Sequence, residues 1–137
     1  MRAMSELVEM ELSRVVIDEK AESQYIHLRE RTGQRSFPIV IGFNEAAEIN
    51  RKLHKMQAAR PLTHDLIGHI LASLEWRLDR VVVTELKDST FHANLELERD
   101  GERRLVDCRP SDAIALATQL HAPVFASRQV LDAAGHA

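Results

Sequence analysis

This 137-residue chain is poor in cysteine, in aromatic residues and in unbalanced charge. Its one cysteine, Cys108, permits no internal disulfide and no Cys-x-x-Cys pair, and fits a reducing compartment. No apolar run approaches the ~20 residues of a membrane span, and the opening "MRAMSELVEM" lacks the apolar centre of a secretory signal. A cytoplasmic protein with no membrane partner is expected. Aromatic residues are 4% of the chain, which leaves little for base stacking. The formal charge of −3 lacks the basic excess usual in nucleic-acid binders, so any phosphate contact needs a local basic patch. There is no Gly-rich phosphate loop, no G-x-S-x-G and no H-E-x-x-H. Ordinary nucleotide hydrolysis, serine hydrolysis and zinc proteolysis therefore have no footing.

What is present reads as one domain over residues 1–137, with loose ends expected at 1–6 and 133–137. At this length roughly 68% of the unfolded surface can be buried. "LVEMELSRVVID" alternates apolar and polar residues with the period of a half-buried strand, and "QYIHLRE" and "SFPIVIG" follow as second and third strands. Pro38 has no N–H to give a ladder, which predicts an edge or a strand start. "FNEAAEINRKLHKMQ" places Ala46, Ile49, Leu53 and Met56 on one helical face, capped by Asn44. A second helix starts at Thr63 and is expected to bury Leu66, Ile67, Ile70, Leu71 and Leu74. "RVVVTEL", "FHANLELE" and "RRLVDC" read as strands, with Asp100-Gly101 as a hairpin turn. A third helix from about Ser111 to His121, a short strand "APVFA" and a last helix capped by Ser127 complete the chain. The order β-β-β-α-α-β-β-β-α-β-α predicts an α+β fold, with an antiparallel or mixed sheet in two three-stranded portions and about four helices.

Two helix starts open alike, "RPLTHDL" at 60–66 and "RPSDAIA" at 109–115. Arginine binds phosphate oxygens bidentately. Carboxylates hold Mg²⁺ or Mn²⁺ through oxygen, and histidine carries protons near neutral pH. The free N–H groups of a helix start attract anions. Arg60, Thr63, His64 and Asp65, with Asp107, Arg109, Ser111 and Asp112, supply all of these types. The same residues also make ordinary helix starts. Thr63 and Ser111 read as N-caps. Asp65 and Asp112 favour the helix dipole, and Arg60 and Arg109 can pair with them. His64 is the exception, because a first-turn imidazolium is disfavoured by the positive helix end. Glu45 reads as a dipole-favouring residue that could face the same cleft. Asp65 and His69 stand at i, i+4 as a surface pair. His27, His54, His121 and His136 read as solvated residues, and Arg51-Lys52 with Lys55 and Arg103-Arg104 as solvated faces. Cys108, beside Asp107, reads as a buried structural thiol rather than a nucleophile.

The phrases "FPIVIGFNEAAEI", "RPLTHDL", "DSTFHANL", "VDCRPSDAIALA" and "APVFAS" together resemble the bifunctional nuclease domain family, over about residues 10–131. Cys108 and His92 depart from the small residue and the aromatic usual there. The resemblance implies a phosphodiesterase that cuts RNA and DNA with low sequence preference. On that reading the catalytic residues are His64, Asp65, Asp107 and Asp112. Arg60, Arg109, Thr63 and Ser111 bind the substrate, and Asp65 and Asp112 hold a divalent cation, Mg²⁺ or Mn²⁺. The alternative is a non-catalytic module that binds a nucleic acid, a protein or a small anion through the two Arg-Pro starts. Strands with uncapped edges in so small a domain also predict a homo-oligomer, with a dimer favoured.

Overall fold

The structure is a computed structural model that describes residues 6–18, 20 and 23–137. Residues 1–5 of the expected loose start, and part of the polar turn after the first strand, lie outside them. The element order matches the expected one: β1 Leu7–Val16, β2 Gln24–Glu30, β3 Ser36–Ile41, α1 Phe43–Leu53, α2 Thr63–Ser73, β4 Arg77–Lys87, β5 Thr90–Arg99, β6 Glu102–Cys108, α3 Pro110–Leu120, β7 Val124–Ser127 and α4 Arg128–Ala134.

The two three-stranded portions are joined into one mixed seven-stranded sheet, ordered β3-β2-β1-β7-β4-β5-β6. The four-residue β7 is the joint. It runs antiparallel to β1, with Leu7 opposite Ser127, and parallel to β4, with Val81 opposite Val124. Pro38 lies on the edge strand β3, where its missing N–H costs no ladder bond. Asp100 and Gly101 both have positive φ, 49° and 83°, as a tight hairpin turn between β5 and β6 requires. The sheet also curls. Phe37 of β3 and Phe91 of β5 stack with centroids 5.5 Å apart although four strands separate them in the sheet.

Helix α3 runs through the middle of the core. Five successive residues, Ala113 to Ala117, are buried, so every face of the helix is covered. Helix α1 packs on α3 through Ala46 and Ile49. It ends at Leu53, and Leu53 and Met56 of the expected apolar face are exposed. Ser127 caps α4 as expected, accepting the Val130 N–H at 3.2 Å. The expected loose C-terminus is tied to the sheet, since His136 and Ser36 exchange two backbone hydrogen bonds of 2.8 Å.

Helix α2 departs most from expectation. Ile67 and Leu71 pack against the core, but Leu66, Ile70 and Leu74 face outward. The helix leans on α3 through Gly68. A Cβ there would lie 2.5 Å from Gln119 Nε2, which donates to the His64 carbonyl at 3.1 Å. This close approach sets the start of α2 against the start of α3.

Candidate active site

The expected caps are shifted by one or two positions. Leu62 is the N-cap of α2, so Thr63 is its first helical residue. Arg109 is the N-cap of α3, with Pro110 first and the buried Ser111 second. Neither Thr63 nor Ser111 makes a capping hydrogen bond, and Gly42 rather than Asn44 caps α1. The shift brings a regularity to light. Asp65 and Asp112 both stand third in their helices, but they turn to different partners.

Asp65 turns back. Its Oδ2 accepts the Leu62 N–H at 2.9 Å, which satisfies one free donor of the helix start. Its other partners come from α1: Arg51 Nη2 at 3.2 Å and Lys52 Nζ in a short ion pair. The bonds from Lys52 and from the Leu62 N–H hold its carboxyl well below the usual range, at about 2. Arg51 and Lys52 are thus not a solvated face. Their side chains are largely buried, and both also reach Glu48, Arg51 Nη2 at 2.8 Å and Lys52 Nζ at 3.7 Å.

Asp112 turns across. Its carboxylate takes two bonds from Arg109, Nε at 2.9 Å and Nη2 at 3.0 Å. Its Oδ1 also meets His64 Nε2 at 3.0 Å. Burial works to raise this carboxyl, but Arg109 and His64 outweigh it and the net shift is downward. An ionised Asp112 accepts a proton bond from Nε2–H, which leaves the lone pair of a neutral imidazole on Nδ1. That nitrogen lies 3.8 Å from Glu48 Oε1. Glu48 is itself held below its usual value, chiefly by the Arg51 bond. His64 is therefore a largely buried imidazole between two carboxylates.

These groups line a cleft of about 970 Å³ between the starts of α1, α2 and α3. Glu45 and Glu48 come from α1, Arg60, Thr63 and His64 from the start of α2, and Arg109 and Asp112 from the start of α3. Arg109 is largely exposed and reaches Glu45 with Nη1 at 3.3 Å. Arg60 makes no hydrogen bond or ion pair among the described residues, and it faces the cleft as an open cation.

The two Arg-Pro starts do converge, and they bring together His64, Asp112, Arg109, Arg60 and Thr63. Three expected members stand elsewhere. Asp107 is exposed on β6 opposite Asn94 and does not line the cleft. Ser111 is buried and lines a neighbouring, smaller hollow beyond Arg109. Asp65 lines hollows on the other side of the α2 start. Glu48 is the member that sequence reasoning missed. Its signal, Arg51 and Lys52 at i+3 and i+4, looks like an ordinary surface pair. Cys108 is half-buried, and its thiol is pushed up to about 12 by burial and by Asp112 and Asp107, which disfavours the thiolate.

The two expected cation ligands are not brought together. Asp65 and Asp112, expected to share a divalent cation, line different clefts and are each bound to cationic side chains. Among the described residues no group of three or more His, Cys, Asp or Glu is arranged to hold a metal ion. Nor is any helix of the described residues long and apolar enough to cross a membrane.

Residues 26–137 match the bifunctional nuclease domain family. Over 119 residues the chain is 36% identical to a protein of Mycobacterium tuberculosis strain CDC 1551 / Oshkosh, and likewise to one of strain ATCC 25618 / H37Rv. Each alignment covers 87% of this chain and 71% of the relative, and both relatives are described as uncharacterized.

Proposed function

The chain belongs to the bifunctional nuclease domain family, and on that premise we propose that its cleft hydrolyses phosphodiester bonds of RNA and DNA with low sequence preference. One observation carries the reading: His64 Nε2 stands 3.0 Å from Asp112 Oδ1, in a cleft whose rim carries Arg60 and Arg109.

The chemistry follows from these positions. A phosphodiester enters as an anion that Arg60 binds, and Arg109 neutralises its non-bridging oxygens as charge builds there. His64 Nδ1 takes a proton from a water as the water oxygen bonds to phosphorus. The bond from phosphorus to the leaving ester oxygen then breaks, and the imidazolium returns its proton to that oxygen. Asp112 fixes the tautomer and stabilises the charged imidazolium, while Arg109 fixes Asp112. Glu48 Oε1 stands 3.8 Å from Nδ1. Water as the nucleophile requires no 2′-hydroxyl, so both nucleic acids are substrates.

A second reading is a non-catalytic anion-binding module. It is favoured by the cationic partner of each carboxylate: Arg51 for Glu48, Lys52 for Asp65 and Arg109 for Asp112 and Glu45. Such a network also serves as a plain clamp between helices. Labelled single-stranded RNA and DNA, incubated with the wild type and with His64→Ala, decide between the two. Cleavage that disappears in the variant while binding persists supports the enzyme. Binding without cleavage in either protein leaves the module.

A further inference from the structure

We propose that the hollow beyond Arg109 is a subsite for an unpaired nucleobase, next to the cleft that takes the phosphate of the same strand. The proposal deepens the phosphodiester reading of the cleft and rests on it.

The hollow measures about 460 Å³, within the range of small-ligand sites. It opens between the edge strand β3, the turn from β4 to β5 and the start of α3. Glu45 and Arg109 line both the hollow and the cleft, so the two adjoin at their 3.3 Å ion pair. A ligand with its phosphate on Arg109 therefore has the hollow beside it.

Pro38, Ile39, Phe91 and Pro110 give the hollow apolar walls, and the polar groups among them lack partners. Ser111 is 5% exposed, and its hydroxyl makes no hydrogen bond among the described residues. A buried polar group left unpaired costs stability, and this one lines the hollow. The Ser89 hydroxyl also lines it and has no partner among the described residues. Asp88 and Ser89 hold φ values of 51° and 62°, a turn that glycine fills without strain. Serine gives up that ease and keeps a hydroxyl on the hollow. The third group is main chain. Ser36 bonds outward to His136 through both its N–H and its C=O. Backbone direction alternates along a strand, so Val40, four residues on, turns its own N–H and C=O outward as well. Val40 lines the hollow, and neither group is bonded there among the described residues.

A nucleobase fits this set. Each of the four bases carries a donor and an acceptor side by side on its Watson–Crick edge, and one main-chain N–H and C=O pair serves them all. Recognition of this kind is indifferent to sequence, and it requires that the base be unpaired, so the substrate is a single strand. Phe91 adds an aromatic surface against which a base can pack. A peptide strand fits less well. Pro38 has no N–H and Ser36 is already bonded, so Val40 offers the one free outward N–H among the described residues of β3, too few for a ladder.

NMR titration of the whole chain with adenosine 5′-monophosphate, uridine 5′-monophosphate and ribose 5-phosphate tests the proposal without any cleavage step. Both nucleotides are expected to bind about tenfold or more tighter than ribose 5-phosphate. Ser89→Gly relieves a positive φ, and Ser111→Ala removes an unpartnered hydroxyl, so both variants are expected to melt no lower than the wild type. Each should nevertheless reduce the preference for the nucleotides by about threefold or more. Three results would overturn the proposal. Equal binding of all three ligands removes the base subsite while the phosphate site stands. A preference unchanged in both variants puts the base elsewhere on the molecule. No binding of any ligand removes the phosphate site itself, and the subsite with it.

Discussion

His64 Nε2 and Asp112 Oδ1 lie 3.0 Å apart, and this contact joins the second residue of α2 to the third residue of α3. It spans 48 positions of sequence and turns two similar helix starts into one site. The consequences can be measured.

The helix-start assignments separate two neighbours. Asp65 accepts the Leu62 N–H and pairs with Lys52. Asp65→Ala should therefore cost about 1–2 kcal/mol of stability. Thr63 makes no cap bond, so Thr63→Ala should stay within roughly 0.5 kcal/mol. Denaturant unfolding of both proteins gives the order, and a Thr63→Ala protein less stable than Asp65→Ala would reverse the assignment.

Acid should act on the same contact. The carboxyl of Asp65 is lowered to about 2 in the folded protein. A group depressed on folding contributes stability that is complete above its unfolded pKa and is lost as pH falls through the folded value. The window is therefore from about pH 4 down to about 2. After solvent screening the loss is about 1–2 kcal/mol. Asp65→Asn should flatten this part of the stability-versus-pH curve. An unchanged acid limb in the variant would contradict the pairing with Lys52.

Arg60 and Arg109 should differ in kind. Arg60 is unpartnered, so Arg60→Ala should weaken oligonucleotide binding and lower the slope of log K against log salt by about one, leaving kcat nearly unchanged. Arg109 also holds Asp112, so Arg109→Ala should lower both binding and kcat. Equal effects of the two variants on kcat would remove Arg109 from the positioning of Asp112.

Chelation tests the donor set. With Asp65 and Asp112 bound to cationic side chains of different elements, EDTA should lower cleavage by less than about tenfold. Removal of an essential electrostatic group instead costs about 10²-fold or more. Complete loss, restored by Mg²⁺ or Mn²⁺ alone, would return a cation to the site.

Local pattern made the elements legible. Period-two alternation announced the strands, Asp100-Gly101 the hairpin and Pro38 an edge, because each signal acts within a few residues. The place of β7 was not legible, since four apolar residues do not encode which strands they lie between. The outward face of α2 was misread for a similar reason: Leu66, Ile70 and Leu74 have the spacing of a core face whether the cover is the same chain or another. Asp65 and Asp112 look equivalent in sequence and stand at the same helix position. Only the fold gives one to Lys52 and the other to His64. Glu48 was hidden because its partners at i+3 and i+4 imitate a surface pair, and its distance from His64 is a property of packing.

The central claim is that His64 and Asp112 act as one catalytic unit, and a double-mutant cycle on cleavage rate tests it most directly. His64→Ala should cost about 10²- to 10⁴-fold in kcat. Asp112→Asn should cost a large part of that, and the double variant no more than His64→Ala alone, as expected of residues that act together. Losses that multiply in the double variant, or an Asp112→Asn protein with full activity, would contradict the account.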